Sequence, residues 1–188
     1  INEKTLDVDN AWTATVGSVP KVYGTGSWSG CGWTGQPLIV RWPEETKKIM
    51  NLYDAAKAKA DLVEVIYATM DGHIYFFDLE TGERTRDPIN MGRYPFKGAG
   101  ALDPRGYPLM YLGSGDDCTD DGKGSSHANI ISLIDGKVLY TFGAKDGFSL
   151  RDLSYFDSSA LVDAETDTLI YPGENGIVYI IKLNTNYD

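Results

Sequence analysis

Two apolar runs, Glu64–Thr69 and Ile74–Leu79, flank the pair Asp71-Gly72. An Asp-Gly pair between β-branched and aromatic residues is the strongest short-range signal for a tight hairpin. A second turn follows at once in Leu79-Glu80-Thr81-Gly82. The unit returns twice in weaker form. Pro108–Gly113 and Thr168–Gly173 repeat the first run, Asn129–Leu133 and Val178–Leu183 the second, and Gly100–Asp103 and Ser159–Asp163 match a preceding run, Pro37–Trp42. The closing turn recurs as Leu133-Ile134-Asp135-Gly136 and Leu183-Asn184-Thr185-Asn186. Gly82, Gly136 and Asn186 are thereby expected to hold a positive φ, as is Gly72 in the tighter turn.

Offsets of 54 and then 50 residues separate these closing turns (136 − 82 and 186 − 136). A period near fifty built of short strands and Gly/Asn turns predicts an all-β chain, a β-propeller whose blades are four antiparallel strands. Both faces of a blade are covered by neighbours, which permits unbroken apolar runs such as Ile74-Tyr75-Phe76-Phe77. The expected division is an N-terminal segment 1–35 completing or covering the first blade, blade one at 36–97, blade two at 98–157, and a partial blade three at 158–188. With 188 residues the arc holds about three to four blades. Remaining blades are therefore expected from the same full-length protein or from a second copy. The start at Ile1 without Met also admits an upstream piece that has been removed.

Within the first unit, Pro37–Trp42 reads as a strand ended by Pro43, and Lys47–Tyr53 as another. Asp54–Asp61 is Ala-rich with Asp54 placed to cap it, which predicts one or two helical turns. Thr85–Ile89 is read as an outer strand. Upstream, Ala11–Val16 alternates enough for one strand, and Gly24–Trp33 reads as irregular backbone pinned by indoles. That glycine-rich stretch lacks the Lys-Ser/Thr ending of a phosphate loop and has Trp28 where a nucleophile elbow needs serine.

Twenty-seven acids against 17 bases give a net charge of −10, which disfavours nucleic acid and anionic membrane surfaces as partners. Apolar runs stop well short of a bilayer's thickness, so no transmembrane segment is expected. Two cysteines, Cys31 and Cys118, have no metal-ligand spacing; they either pair in an oxidising compartment or stand as separate thiols.

Asp71–Phe77 followed by Asp78-Leu79-Glu80-Thr81-Gly82 resembles the repeat of the pyrroloquinoline-quinone-like (PQQ-like) β-propeller family. Trp33-Thr34-Gly35-Gln36-Pro37 through Tyr53, with Asp163–Leu169, further resembles the N-terminal half of uncharacterised bacterial surface proteins of that class, often lipoproteins. The resemblance spans about residues 30–188. It implies an extracellular or surface-anchored propeller, and propellers host many unrelated roles. Quinoprotein dehydrogenases of the family carry an alanine two residues before the repeat Asp and a tryptophan after the Thr-Gly turn. This chain has Phe76 and Arg86 there, and it lacks the vicinal cysteine pair that contacts the quinone.

Candidate chemistry is sparse. Asp117, Thr119 and Asp121, followed by Gly122, imitate the first half of a calcium loop. Ala128 replaces the bidentate glutamate, which excludes an EF-hand and leaves either a shorter calcium-binding loop or a solvated hairpin tip. His73 and His127 open corresponding strands and fit one layer of adjacent blades better than a shared zinc, and nothing local activates Ser158 or Ser159. Trp28, Trp33 and Trp42 lie in or beside turns, so they either offer platforms for a carbohydrate or peptide or pack between blades. The reading that follows is a non-catalytic scaffold or binding module without a cofactor, calcium excepted. The alternative is a fragment of a quinoprotein-like or hydrolytic enzyme whose catalytic residues lie outside this chain.

Overall fold

β-Branched and aromatic residues over 64–68 and 73–78 pair as strands because Gly72, at φ 80°, closes the turn between them. A side chain at 72 would strike the Gly92 carbonyl. Only glycine meets both demands. A computed structural model of the chain describes residues 9–117 and 126–187. Among these it is mostly antiparallel β-sheet with two short helices, and no helix is long and apolar enough to cross a membrane.

The strands are β1 (Ser18–Pro20), β2 (Ser27–Ser29), β3 (Leu38–Val40), β4 (Glu64–Ala68), β5 (His73–Asp78), β6 (Ile89–Asn90), β7 (Ala101–Leu102), β8 (Leu109–Gly113), β9 (Ala128–Ser132), β10 (Val138–Phe142), β11 (Leu161–Asp163), β12 (Thr168–Pro172) and β13 (Val178–Lys182). They form a hairpin β1-β2 and three meanders in chain order: β3-β4-β5-β6, β7-β8-β9-β10 and β11-β12-β13. The second sheet lies between the other two. Met110, Leu112, Ile131 and Leu133 face Ile66, Ile74 and Phe76 of the first sheet. Tyr111, Ala128 and Ile130, one residue out of phase, face Val162, Leu169 and Tyr171 of the third. Successive side chains point to opposite faces, so one strand feeds two cores.

Several local expectations need correction. Lys47–Tyr53 is not a strand. Helix α1 spans Glu44–Ile49, entered from Pro43, with Lys47–Glu44 (2.9 Å) and Lys48–Glu45 (2.8 Å) pairs at i,i+3. Acids in its first turn and lysines in its last suit the helix dipole. Helix α2 spans Asp54–Ala58, but Tyr53 holds the N-cap position and Asp54 is the first helical residue. Ala11–Val16 has no strand partner, and Gly24–Trp33 includes β2. The outer strand of the first sheet is reduced to Ile89–Asn90, with one isolated bridge between Phe77 and Arg84. Gly82 and Gly136 have positive φ, whereas in the third turn Asn184 does so instead of Asn186. Asp167 shifts that turn: its carboxylate accepts the Thr185 amide at 2.7 Å and its carbonyl the Leu183 amide.

A buried ion pair joins the first two sheets. Glu64 and Arg86 are fully enclosed, and Arg86 donates to both carboxylate oxygens, from Nε at 3.0 Å and from Nη2 at 2.5 Å. Trp42 Nε1 and the Thr85 hydroxyl donate to the same carboxylate, at 2.8 and 2.5 Å. Arg86 Nη1 reaches the Leu133 carbonyl of the second sheet at 2.5 Å, and its guanidinium lies 4.1 Å from the Phe76 ring centre. Two buried charges thus have a full complement of partners, the condition under which burial is tolerated.

The N-terminal segment runs along the side of the first sheet that faces away from the second. Trp12 packs on Phe77 and Gly82 and donates to the Leu79 carbonyl at 2.9 Å. The Gly17 amide donates to Asp71 at 2.8 Å. Burial acts to raise the Asp71 pKa, but hydrogen bonds from Thr69, Tyr75 and Gly17 outweigh it and hold the carboxyl below its ordinary range.

Arg86→Met leaves Glu64 buried and unpaired and is expected to cost about 3–5 kcal/mol in a urea titration. Adding Glu64→Leu should recover part of that loss, because Trp42, Thr85 and Leu133 still lose their partner. The lowered Asp71 pKa contributes stability that is present above the unfolded value of about 3.9 and is lost as pH falls through the folded value. Asp71→Asn should therefore be less stable than wild type at neutral pH, with the gap closing in acid melts as pH falls through the lowered Asp71 pKa.

Candidate functional site

The connections β4–β5 and β8–β9 share one end of the sheets with the segments leading into β7 and β11, and the polar aromatic side chains gather there. Trp28, on β2, donates from Nε1 to Asp116 Oδ2 at 3.1 Å. The Tyr155 hydroxyl donates to Asp116 Oδ1 at 3.3 Å. The Lys97 ammonium donates to the Gly115 carbonyl at 2.5 Å and stands 3.8 Å from the Asp157 carboxylate. It also lies 5.2 Å from the Trp28 ring centre and 5.4 Å from that of Tyr155, while Lys21 covers Trp28 at 4.4 Å. Cations over aromatic faces are favourable and hold the indole in place.

Trp33 is 70% exposed, yet its neighbours in the chain are tied down. The Thr34 amide donates to the Lys97 carbonyl at 3.3 Å and its hydroxyl to the Asp157 carbonyl at 3.1 Å. Gly32 packs so tightly on Lys97 that a Cβ would overlap the Lys97 backbone. A large indole is thus held in water by fixed backbone.

Asp157, whose carbonyl takes the Thr34 hydroxyl, has a partly enclosed carboxylate. Its Oδ1 is shielded from solvent and has no hydrogen-bond partner among the described residues. Burial pushes its pKa up, Glu174 and Asp116 add to the rise, and Lys97 opposes it. Any side chain at Gly115 would collide with this oxygen. The Tyr155 hydroxyl is pushed up to about 12 by burial and by Asp116 and Asp117, so at neutral pH it acts as a donor.

Other expected sites fall differently. Trp42 is 3% exposed and gives its N–H to Glu64, so it is a core residue and no platform. Asp117 accepts the Ser126 amide at 2.6 Å and closes the neck of the β8–β9 connection, while Thr119 and Asp121 of the expected calcium loop lie outside the described residues. No group of three metal-binding side chains occurs among the described residues. Cys31 is an exposed thiol, whose pKa burial and Asp71 raise; Cys118, with which it either pairs or not, lies outside the described residues. His73 Nδ1 meets the Asp71 carbonyl, and His127 packs edge-on to Tyr94. Ser158 donates to the Pro172 carbonyl, away from any base.

No protein-family model matches this chain, and no curated protein does. The site must be read from its own residues.

Sequence reasoning reached Trp28 and Trp33 but missed Lys97, Tyr155 and Asp157. These are brought within reach of one another only by sheet stacking, from stretches some sixty residues apart in the chain. A cavity of about 680 Å³ lies at the opposite end of the sheets, lined by Leu109, Ile130, Leu139, Tyr140, Ile181 and Tyr187. It borders β13, the edge strand of a sheet with three strands where its neighbours have four.

Ionised Asp157 is costly to the fold, and Asp157→Asn removes that cost. The variant is expected to melt at a higher temperature than wild type at pH 7, the gain shrinking as pH falls toward the raised Asp157 pKa, where both side chains are neutral.

Proposed function

We propose that this chain is an arc of an extracytoplasmic β-propeller that acts without catalysis as a binding module, its ligand a carbohydrate held at the Trp28–Trp33–Asp157 end. Three successive antiparallel meanders, each stacked face to face on the next, support the propeller reading, as do the recurring Gly turns. The PQQ-like resemblance of Asp71–Gly82 agrees with it.

The observation that carries the ligand reading is the exposure of Trp33 on pinned backbone. Indole faces stack on the apolar faces of sugar rings, and a platform fixed in advance loses little entropy when the ligand arrives. The Lys97 ammonium, with one proton given to the Gly115 carbonyl, has further protons to donate nearby. None of these groups is arranged as a nucleophile with its base, which argues for recognition in preference to turnover.

Glycan-array screening tests this, with a peptide array run beside it. Saturable glycan binding is expected, and Trp33→Ala should weaken it at least tenfold without lowering the melting temperature. Binding that survives Trp33→Ala, or appears on peptides alone, would refute the carbohydrate reading.

A further inference from the structure

Three rows of cross-strand neighbours occupy equivalent places in the three sheets. They are Leu38–Ile66–Phe76, Ala101–Tyr111–Ile130 and Leu161–Ile170–Ile180. Sheet two covers the first row, leaving Ile66 and Phe76 at 0% and 1% exposure. The third sheet covers the second row, where Tyr111 is fully buried. Nothing among the described residues covers the third: Leu161 is 64% exposed and Ile180 69%, with Val178 beside them on the same face. Contiguous exposed apolar surface of this kind marks an association site.

The opposite end of the stack is not equivalent. Tyr75 and Phe77, on the outer face of the first sheet, are nearly buried, and Trp12 packs on Phe77. A second copy therefore finds no matching face there for head-to-tail stacking. Like against like remains open, and the charges of the next row suit it. Asp163, Thr168 and Lys182 are cross-strand neighbours, with the carboxylate on the first strand and the ammonium on the last. A two-fold axis along β12, in the plane between two such faces, sets Asp163 of each copy over Lys182 of the other. The same operation lays Leu161 over Ile180 and Ile170 over its own mate. Self-complementarity of this sort is what a two-fold interface requires.

We infer that the outer face of β11–β13 is a homodimer interface, two copies packing third sheet on third sheet with Asp163 and Lys182 paired across it. The inference puts a second copy where the arc reading would otherwise put a further blade, and it is independent of the ligand site, which lies among other residues, so failure of one leaves the other intact.

Sedimentation equilibrium of the full chain over a range of concentrations tests it. A species of twice the chain mass is expected, and Ile180→Arg should abolish it while circular dichroism stays unchanged. Asp163→Lys should weaken dimerisation at least tenfold by opposing like charges, and the exchange Asp163→Lys with Lys182→Asp should restore it. A folded monomer at all concentrations would overturn the proposal, because another occupant must then cover the face. So would a dimer indifferent to Ile180→Arg, or a charge exchange that fails to rescue.

Discussion

The Glu64–Arg86 pair is the constraint on which the arrangement of the first two sheets rests. An unpaired charge in that position would cost several kcal/mol, so the fold is acceptable only with every partner present. Glu64 comes from β4, Trp42 from the stretch after β3, Thr85 and Arg86 from the stretch before β6, and Leu133 from the end of β9. One carboxylate and one guanidinium thus fix four elements in two sheets. Hydrophobic contact between sheets is tolerant of small sliding, whereas a bidentate pair sets distance and angle.

A looser clasp of the same kind sits between the second and third sheets. Arg105 binds Asp103 through Nε at 2.8 Å and Nη2 at 2.7 Å, and Asp167 through Nη1 at 2.5 Å. Asp103 also accepts the Tyr111 hydroxyl at 2.8 Å, and Asp167 accepts the Thr185 amide and hydroxyl. Burial acts to raise both carboxyls, but Arg105 and these hydrogen bonds hold both low, Asp167 to about 2. Each sheet junction therefore pairs an apolar core with an arginine that bonds to both neighbours. The residues in the clasp differ from one junction to the other.

The candidate site uses this rigidity. Lys97 and Asp157 lie on the segments that carry the chain from one sheet to the next, and Trp28 and Trp33 belong to the N-terminal cover. Sheet stacking brings these segments together, so the site's geometry is inherited from the two junctions beneath it. Asp157, with a shielded oxygen lacking a partner, is a group whose burial serves no stabilising purpose visible in the fold. Carboxyls whose pKa burial has raised cluster at functional sites.

Much of the β-structure was legible in the chain because it is local. Asp71-Gly72 and Thr81-Gly82 dictate their turns through backbone sterics, and the runs that flank them dictate strands through side-chain shape. The helix at Glu44–Ile49 escaped because its signal is charge placement, with Pro43 and the acids ahead of the lysines, while Ile49 and Met50 suggested a strand. Asn186 was mistaken for Asn184 because Asp167, seventeen residues earlier, decides where that turn closes. Trp42 and Arg86 were legible as departures or platforms but not as partners of one buried glutamate. Sequence alone determined most strands of the three meanders and where most of them turn, since those preferences act over a few residues. Only the tertiary structure decided which faces are covered and which polar groups meet, because burial and pairing depend on residues far apart in the chain.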